Sequence, residues 1–266
     1  MRPDFVTSRF GLISPARWRK YWSLLNFLDL VYELRIARAV RRARRAGRGM
    51  PPQRILLVAV EVPGREKDLA WLVETMTGCT NQHVEVSIIS MEKRGKFDNV
   101  NMALEARDLS GFEWLLIVDD DVAVPPGFLD LFFHLCRQSD LRIAQPAHRF
   151  NSYASYTITE RHWGAMVRRT SFVEIGPVTA IHASLFAHLI PFPHLRYAWG
   201  LDILWAELAR RQGWRLGVVD ATPISHLRPV GQSYDMEAAN AEAEDFLIRH
   251  GATSPRSVIL GTNVKV

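Results

Sequence analysis

Leu115–Asp130 reads LLIVDDDVAVPPGFLD. With Glu113 and Trp114 in front, its opening EWLLIV is an unbroken apolar run, the pattern of a strand buried on both faces of a parallel sheet. Pro125-Pro126 are expected to open a helix reaching about Gln138, since proline suits the first turn. Between strand and helix stand Asp119, Asp120 and Asp121. Three adjacent carboxylates repel one another and make poor structural filler. A hard divalent cation, Mn²⁺ or Mg²⁺, would relieve that repulsion and share its remaining positions with substrate phosphates. The plainer reading is an acidic turn in which Asp121 caps the next helix.

Outward from this stretch the same rhythm recurs. Ile55–Val60 (ILLVAV) is another buried strand, broken by Pro63-Gly64, and Asp68–Thr77 has helical amphipathicity. His83–Ser90 (HVEVSIIS) reads as a strand, Phe97–Asp108 as a helix and Arg142–Gln145 as a fourth strand. Further on, Leu201–Gln212 reads as a helix and Leu216–Asp220 as a strand. Alternating β and α segments imply an α/β chain with an open mixed, mostly parallel sheet and helices on both faces. Ligands of such sheets bind outside the carboxyl ends of the strands, where the aspartates stand. No internal repeat or low-complexity tract is present.

Composition sets the outer bounds. The chain has 266 residues, is 48% hydrophobic and 23% charged, and carries eight Trp, an ordinary globular balance. Cys79 and Cys136 cannot build a disulfide framework or a four-thiolate zinc site, and read as reduced thiols. The net charge of +5 is unevenly distributed. Residues 1–50 hold 12 Lys/Arg against three acids, net +9, which leaves 21 against 25, net −4, for residues 51–266. That charge gives no support to nucleic-acid binding by the body.

The opening lacks an apolar stretch followed by a small-residue cleavage site, so a cytoplasmic protein is expected. Trp18, Tyr21, Trp22, Leu25, Leu28, Val31 and Tyr32 recur at helical spacing, and Arg35, Arg38, Arg41, Arg42 and Arg45 continue the rhythm with charge. Such a helix can lie peripherally on an anionic membrane at its inner face. It can equally pack on its own domain or on a sister subunit, giving a homo-oligomer. Gly47–Pro52 reads as the linker into the body. Expected units are thus a basic helical extension (1–50) and one body (51–266), divided into halves at 145/146.

ILLVAV, KRGKFDNVNMAL (residues 93–104) and LLIVDDDVAVPPGFLD together resemble the nucleotide-binding half of GT-A-fold glycosyltransferases. The second half adds IAQPA (143–147), FVEIGPV (172–178), WGLD (199–202), LGVVD (216–220) and ISH (224–226). This ordered set is similar to a plant and bacterial family of glycosyltransferase-like proteins catalogued as a domain of unknown function. The likeness spans about residues 54–232; FVEIGPV departs from that family's FVE-x-x-APV.

The resemblance implies a GT-A-like, Rossmann-like fold and a metal-dependent transfer of sugar from a nucleotide-sugar donor to a hydroxyl of a glycan or lipid-linked glycan. It implies Asp119 and Asp121 as an Asp-x-Asp motif, with His226 completing an Mn²⁺ or Mg²⁺ site. Val60, Lys96, Asn101, Asp119, Asp120 and Arg228 would contact the donor, and the donor half is 51–145. Trp199 and Glu174 would meet the acceptor in 146–266, and Asp202 would be the general base of an inverting reaction, with Glu174 as its substitute. Asp202 falls in the first turn of its helix, where the helix dipole is expected to keep it ionised.

Other chemistries fit less well. Ser90 and Phe97 break a P-loop around Gly95-Lys96, and no GxGxxG follows the first strand. EVPGREKD has one glycine, too few for the loop of a sugar-nucleotide pyrophosphorylase, and no Gly-x-Ser-x-Gly elbow is present. A non-enzymatic adaptor working through the basic helix would have no use for Asp119–Asp121.

Overall fold

The computed structural model describes residues 16–78, 80–91, 94–229, 235–252 and 264–265; for 16–20, 264 and 265 it describes the backbone path alone. Cys79 lies outside the described residues, as does the side chain of Trp18, whereas Cys136 is a buried free thiol.

Strands β1 (Arg54–Glu61), β2 (His83–Ser90) and β3 (Trp114–Asp119) are where the sequence places them. β1 lies between the other two, parallel to both. Its side chains alternate between two cores, as strand geometry requires. Leu56, Val58 and Val60 face one core with Phe97 and Trp205; Ile55, Leu57 and Ala59 face the other with Leu69 and Phe132. Helices α2 (Glu66–Thr77) and α3 (Lys96–Glu105) cover opposite sides. Helix α4 (Phe128–Gln138) starts later than the proline pair suggests, because Gly127 adopts a left-handed conformation (φ 63°) immediately before it.

After β3 the sheet becomes mixed. In chain order follow β4 (Val122–Ala123), β5 (Ile143–His148), β6 (Arg168–Thr170), β7 (Val178–His182), β8 (Leu216–His226) and β9 (Val264–Lys265). The sheet order is β2-β1-β3-β7-β5-β8-β6-β9, with β4 paired to the far end of β8. β7 is antiparallel to both β3 and β5, whereas β5 and β8 are parallel. The expected open, mixed and mostly parallel sheet is thus what forms, with β1–β3 and the β5–β8 pair parallel and β7 antiparallel between them. The second half folds back on it as an α/β extension, with α5 (Phe186–Leu189), α6 (Leu201–Gln212) and α7 (Met236–Arg249).

The N-terminal helix, α1 (Ala16–Arg48), has non-helical torsions at Tyr21 and packs on α4. Leu25, Tyr32 and Ile36 are buried in the α4-side core. Asp29 is buried against Arg161 (2.5 Å), Glu33 pairs with Arg161 and Arg149, and the Tyr32 hydroxyl donates to the Ala165 carbonyl (2.5 Å). Tyr32 is held un-ionised by burial, with its pKa raised. The inner face of α1 is thus continuous with the core of the body.

Candidate functional site

The carboxyl ends of β1 and β3 open onto a cavity of about 570 Å³, within the range of roughly 300–1,000 Å³ usual for small-molecule sites. Each member of the aspartate run has its own partner. Asp119 Oδ1 lies 2.6 Å from Lys96 Nζ. Lys96 is the first residue of α3, and the preceding Gly95 lies so close to the Leu195 carbonyl that a Cβ would stand 2.0 Å from it. Gly176 closes over the same ion pair, where an added Cβ would be 2.9 Å from Asp119 Oδ2 and 3.1 Å from Lys96 Nζ. The Asp119 N–H, donating to the Pro177 carbonyl (2.9 Å), ties that segment to the end of β3.

Asp120 is buried and accepts from the Val62 N–H and from Arg65 Nη1, both at 3.0 Å. Burial pushes its pKa up against those two bonds. Asp121 Oδ1 is 3.3 Å from His226 Nε2. The pairing of β4 with β8 causes this contact, because Val122 stands opposite His226 in the register. Burial opposes the charge on both groups, but their hydrogen bond and mutual attraction win, lowering the Asp121 pKa and raising that of His226.

Among the described residues no group of three or more His, Cys, Asp or Glu side chains is placed to hold a metal ion. The expected set of Asp119, Asp121 and His226 is not assembled as three ligands, because Asp119 is engaged by Lys96. Asp121 and His226 offer one carboxylate oxygen and one imidazole nitrogen. That pair suits only a cation whose other positions are filled by water and substrate oxygens, the usual habit of Mg²⁺.

Across the cavity, Glu174 is tightly positioned. Its Oε1 accepts from the Tyr156 N–H (3.2 Å) and the Thr159 hydroxyl (2.9 Å), its Oε2 is 3.5 Å from His148 Nε2, and its own N–H donates to Gln145 Oε1. Arg168, close to it in sequence, is buried against Asp220 at 2.8 Å instead. Asp202 is the second residue of α6. Before it, Ala198 (φ 63°) and Gly200 (φ 88°) are both left-handed and flank Trp199. Left-handed backbone is strained for alanine, and such strain collects at functional sites. Asp202 Oδ1 accepts the Ile203 N–H at 2.9 Å.

Asp202 as a residue is only 7% exposed. Burial raises its pKa to about 7, against the Ile203 N–H bond and with added repulsion from Glu174. The expectation from the helix dipole is thereby reversed. A dipole is a local term, and desolvation inside the cavity wall outweighs it.

Val60, Lys96, Asp119, Asp120, Asp121, Glu174, Trp199, Asp202 and His226 all line this cavity. Asn101 and Arg228 do not. Asn101 is buried and exchanges two 2.8 Å hydrogen bonds with the Phe192 backbone, and Arg228 stands 3.9 Å from Asp68. Sequence reasoning passed over Arg65, Arg94, Arg196 and Tyr197, which also line it. Arg65 follows the Pro-Gly break at the carboxyl end of β1, a position the strand-end rule could have marked. The segment at Arg196-Tyr197 is held by α7, whose Glu242 accepts both backbone N–H groups at 2.8 Å, and no local pattern announces that contact.

Neither a protein-family model nor a curated protein sequence matches the chain. Solved structures show distant likenesses. A197 from STIV is 12% identical with a TM-score of 0.48, the match covering 66% of this chain and 86% of that one. GalNAc-T7, solved with UDP, GalNAc and Mn²⁺, is 10% identical with a TM-score of 0.48, over 74% of this chain and 48% of its own length. A mycobacterial protein is 12% identical with a TM-score of 0.47, over 81% and 80%.

Proposed function

We propose that the chain is a glycosyltransferase that moves a sugar from a nucleotide-sugar donor to a hydroxyl acceptor with inversion. The observation that carries this reading is the pairing, in one cavity, of a charged strand end with a buried carboxylate. On one side stand Asp119–Asp121 with Lys96 and Arg65; on the other stands Asp202, with a pKa of about 7. The first side suits a diphosphate and the second a proton acceptor near neutral pH.

The acceptor hydroxyl would give its proton to the Asp202 carboxylate as its oxygen attacks the anomeric carbon. The bond from that carbon to the diphosphate oxygen breaks, and the electron pair leaves with the nucleoside diphosphate. Lys96 and Arg65, which pair with Asp119 and Asp120 in this structure, would turn part of their charge to the diphosphate and offset what develops there. Glu174, locked by Tyr156 and Thr159, would accept hydrogen bonds from sugar hydroxyls, and Trp199 offers a ring to a sugar face. A divalent cation held by Asp121 and His226 would add further charge neutralisation at the diphosphate. The acceptor class this reading favours is a glycan or lipid-linked glycan.

Thermal melting of the full chain with a panel of nucleotide sugars, with and without Mn²⁺, tests this. A ligand at a hundredfold excess over its Kd stabilises the folded state by roughly 2.7 kcal/mol. A rise in midpoint with one nucleotide sugar is expected, and no response to any of them overturns the reading.

A further inference from the structure

The outer face of α1 is divided into two chemically distinct halves. At 3.6 residues per turn, Leu25, Asp29, Tyr32 and Ile36 fall on the side packed against the body. On the opposite side Leu24, Phe27, Leu30 and Leu34 are 53, 59, 54 and 69% exposed. The same stripe continues as Arg38, Arg41 and Arg45, with Arg42 beside it, all exposed. Among the described residues none of these four arginines pairs with a carboxylate. The two acids described in the helix, Asp29 and Glu33, pair with Arg161 and Arg149 of the body. The stripe therefore carries apolar surface and uncompensated positive charge, with no negative charge along it.

We infer that this face of α1 docks on an anionic lipid bilayer, lying in the interface with Leu24, Phe27, Leu30 and Leu34 inserted and the arginines on the headgroups. A large apolar stripe in line with basic residues is the arrangement that binds this way. No helix among the described residues is long and apolar enough to cross a membrane, so the stripe lies on the bilayer and not through it. A polar partner would leave four large apolar side chains in water, and an apolar one would leave the arginines without counter-charge. Anionic lipid answers both halves at once. The docked helix would also be tied to the cavity. It holds Arg149 and Asn151 through Glu33, Asp29 and Asn26, and that loop runs on to Ser155 and Tyr156 in the cavity wall. The docking face is separate from the cavity, and its test reads binding, not turnover.

The test is flotation of the full chain with vesicles of phosphatidylcholine alone or with a third phosphatidylglycerol, at low and high salt. Co-flotation is expected with the anionic vesicles only, and is reversed by salt. Each basic residue near such a surface is worth about fivefold in partitioning. The combined R38Q/R41Q/R42Q/R45Q variant should therefore lose roughly several-hundredfold, and Phe27→Glu with Leu34→Glu should abolish co-flotation. Both variants should melt like the parent, since these side chains are exposed. Indifference of the parent chain to anionic vesicles at low salt overturns the inference. So does a dimer in sedimentation that the Phe27→Glu, Leu34→Glu variant converts to monomer while vesicles are ignored, which would assign the face to a second copy.

Discussion

Replacing Asp202 with asparagine should make the protein more stable and catalytically inert at once. The carboxyl is buried, and its pKa stands at about 7 against an ordinary value of 3.8. Between those values the folded state keeps a proton that the unfolded chain has released. Stability from this group is therefore fully present below about pH 4, falls as pH rises, and is gone above pH 7. At 1.36 kcal/mol per pKa unit the difference amounts to about 4 kcal/mol. Asparagine retains an oxygen for the Ile203 N–H and has no charge to desolvate. Asp202→Asn should thus melt several degrees above the parent at pH 8, since about 1 kcal/mol moves the midpoint of a chain near this size by roughly 2–4 °C. At pH 4 the two should melt alike. Transfer by the variant should fall by about 10²–10⁴, the usual worth of a general base. Calorimetric melts of the ligand-free proteins from pH 4 to 8, beside initial rates, check both parts. A variant that is less stable at pH 8, or a parent and variant with the same pH dependence, would refute the buried-carboxylate argument. An unchanged rate would move the base to Glu174.

Two further outcomes follow from individual contacts. Asp121→Asn removes the charge that faces His226, so Mn²⁺-dependent affinity for a nucleoside diphosphate, measured by calorimetry, should drop at least tenfold (about 1.4 kcal/mol) in a chain that still folds; full affinity would exclude Asp121 as a metal ligand. Arg161→Met leaves Asp29 buried without its partner and should cost about 3–5 kcal/mol in urea unfolding, partly restored by adding Asp29→Leu; a parent-like midpoint would show that α1 contributes nothing through this pair.

How much of this protein its sequence determines depends on the range of the forces involved. The strands at 54–61 and 114–119 were legible because burial on both faces demands an unbroken apolar run, and that demand is local; the edge strand at 83–90 carries a mixed, largely exposed pattern instead. Asp119–Asp121 was legible as a place that needs compensating charge, because three adjacent carboxylates at a strand end repel one another. What answers each carboxylate was not. Lys96 reaches Asp119 from another helix start, and His226 reaches Asp121 only because β4 pairs with the end of a strand a hundred residues later. Asn101 and Arg228 are placed at the donor by the resemblance, yet packing against Phe192 and a turn toward Asp68 take them out of the cavity. The +9 of residues 1–50 was countable, but charge counting cannot say which face of a helix is buried. Asp29 and Tyr32 bind α1 to the body while its leucines and arginines stay outside. Asp202 shows the difference most sharply. Its helix dipole could be read from position in the chain, and its desolvation could not, because burial is a sum over neighbours that only the folded chain brings together.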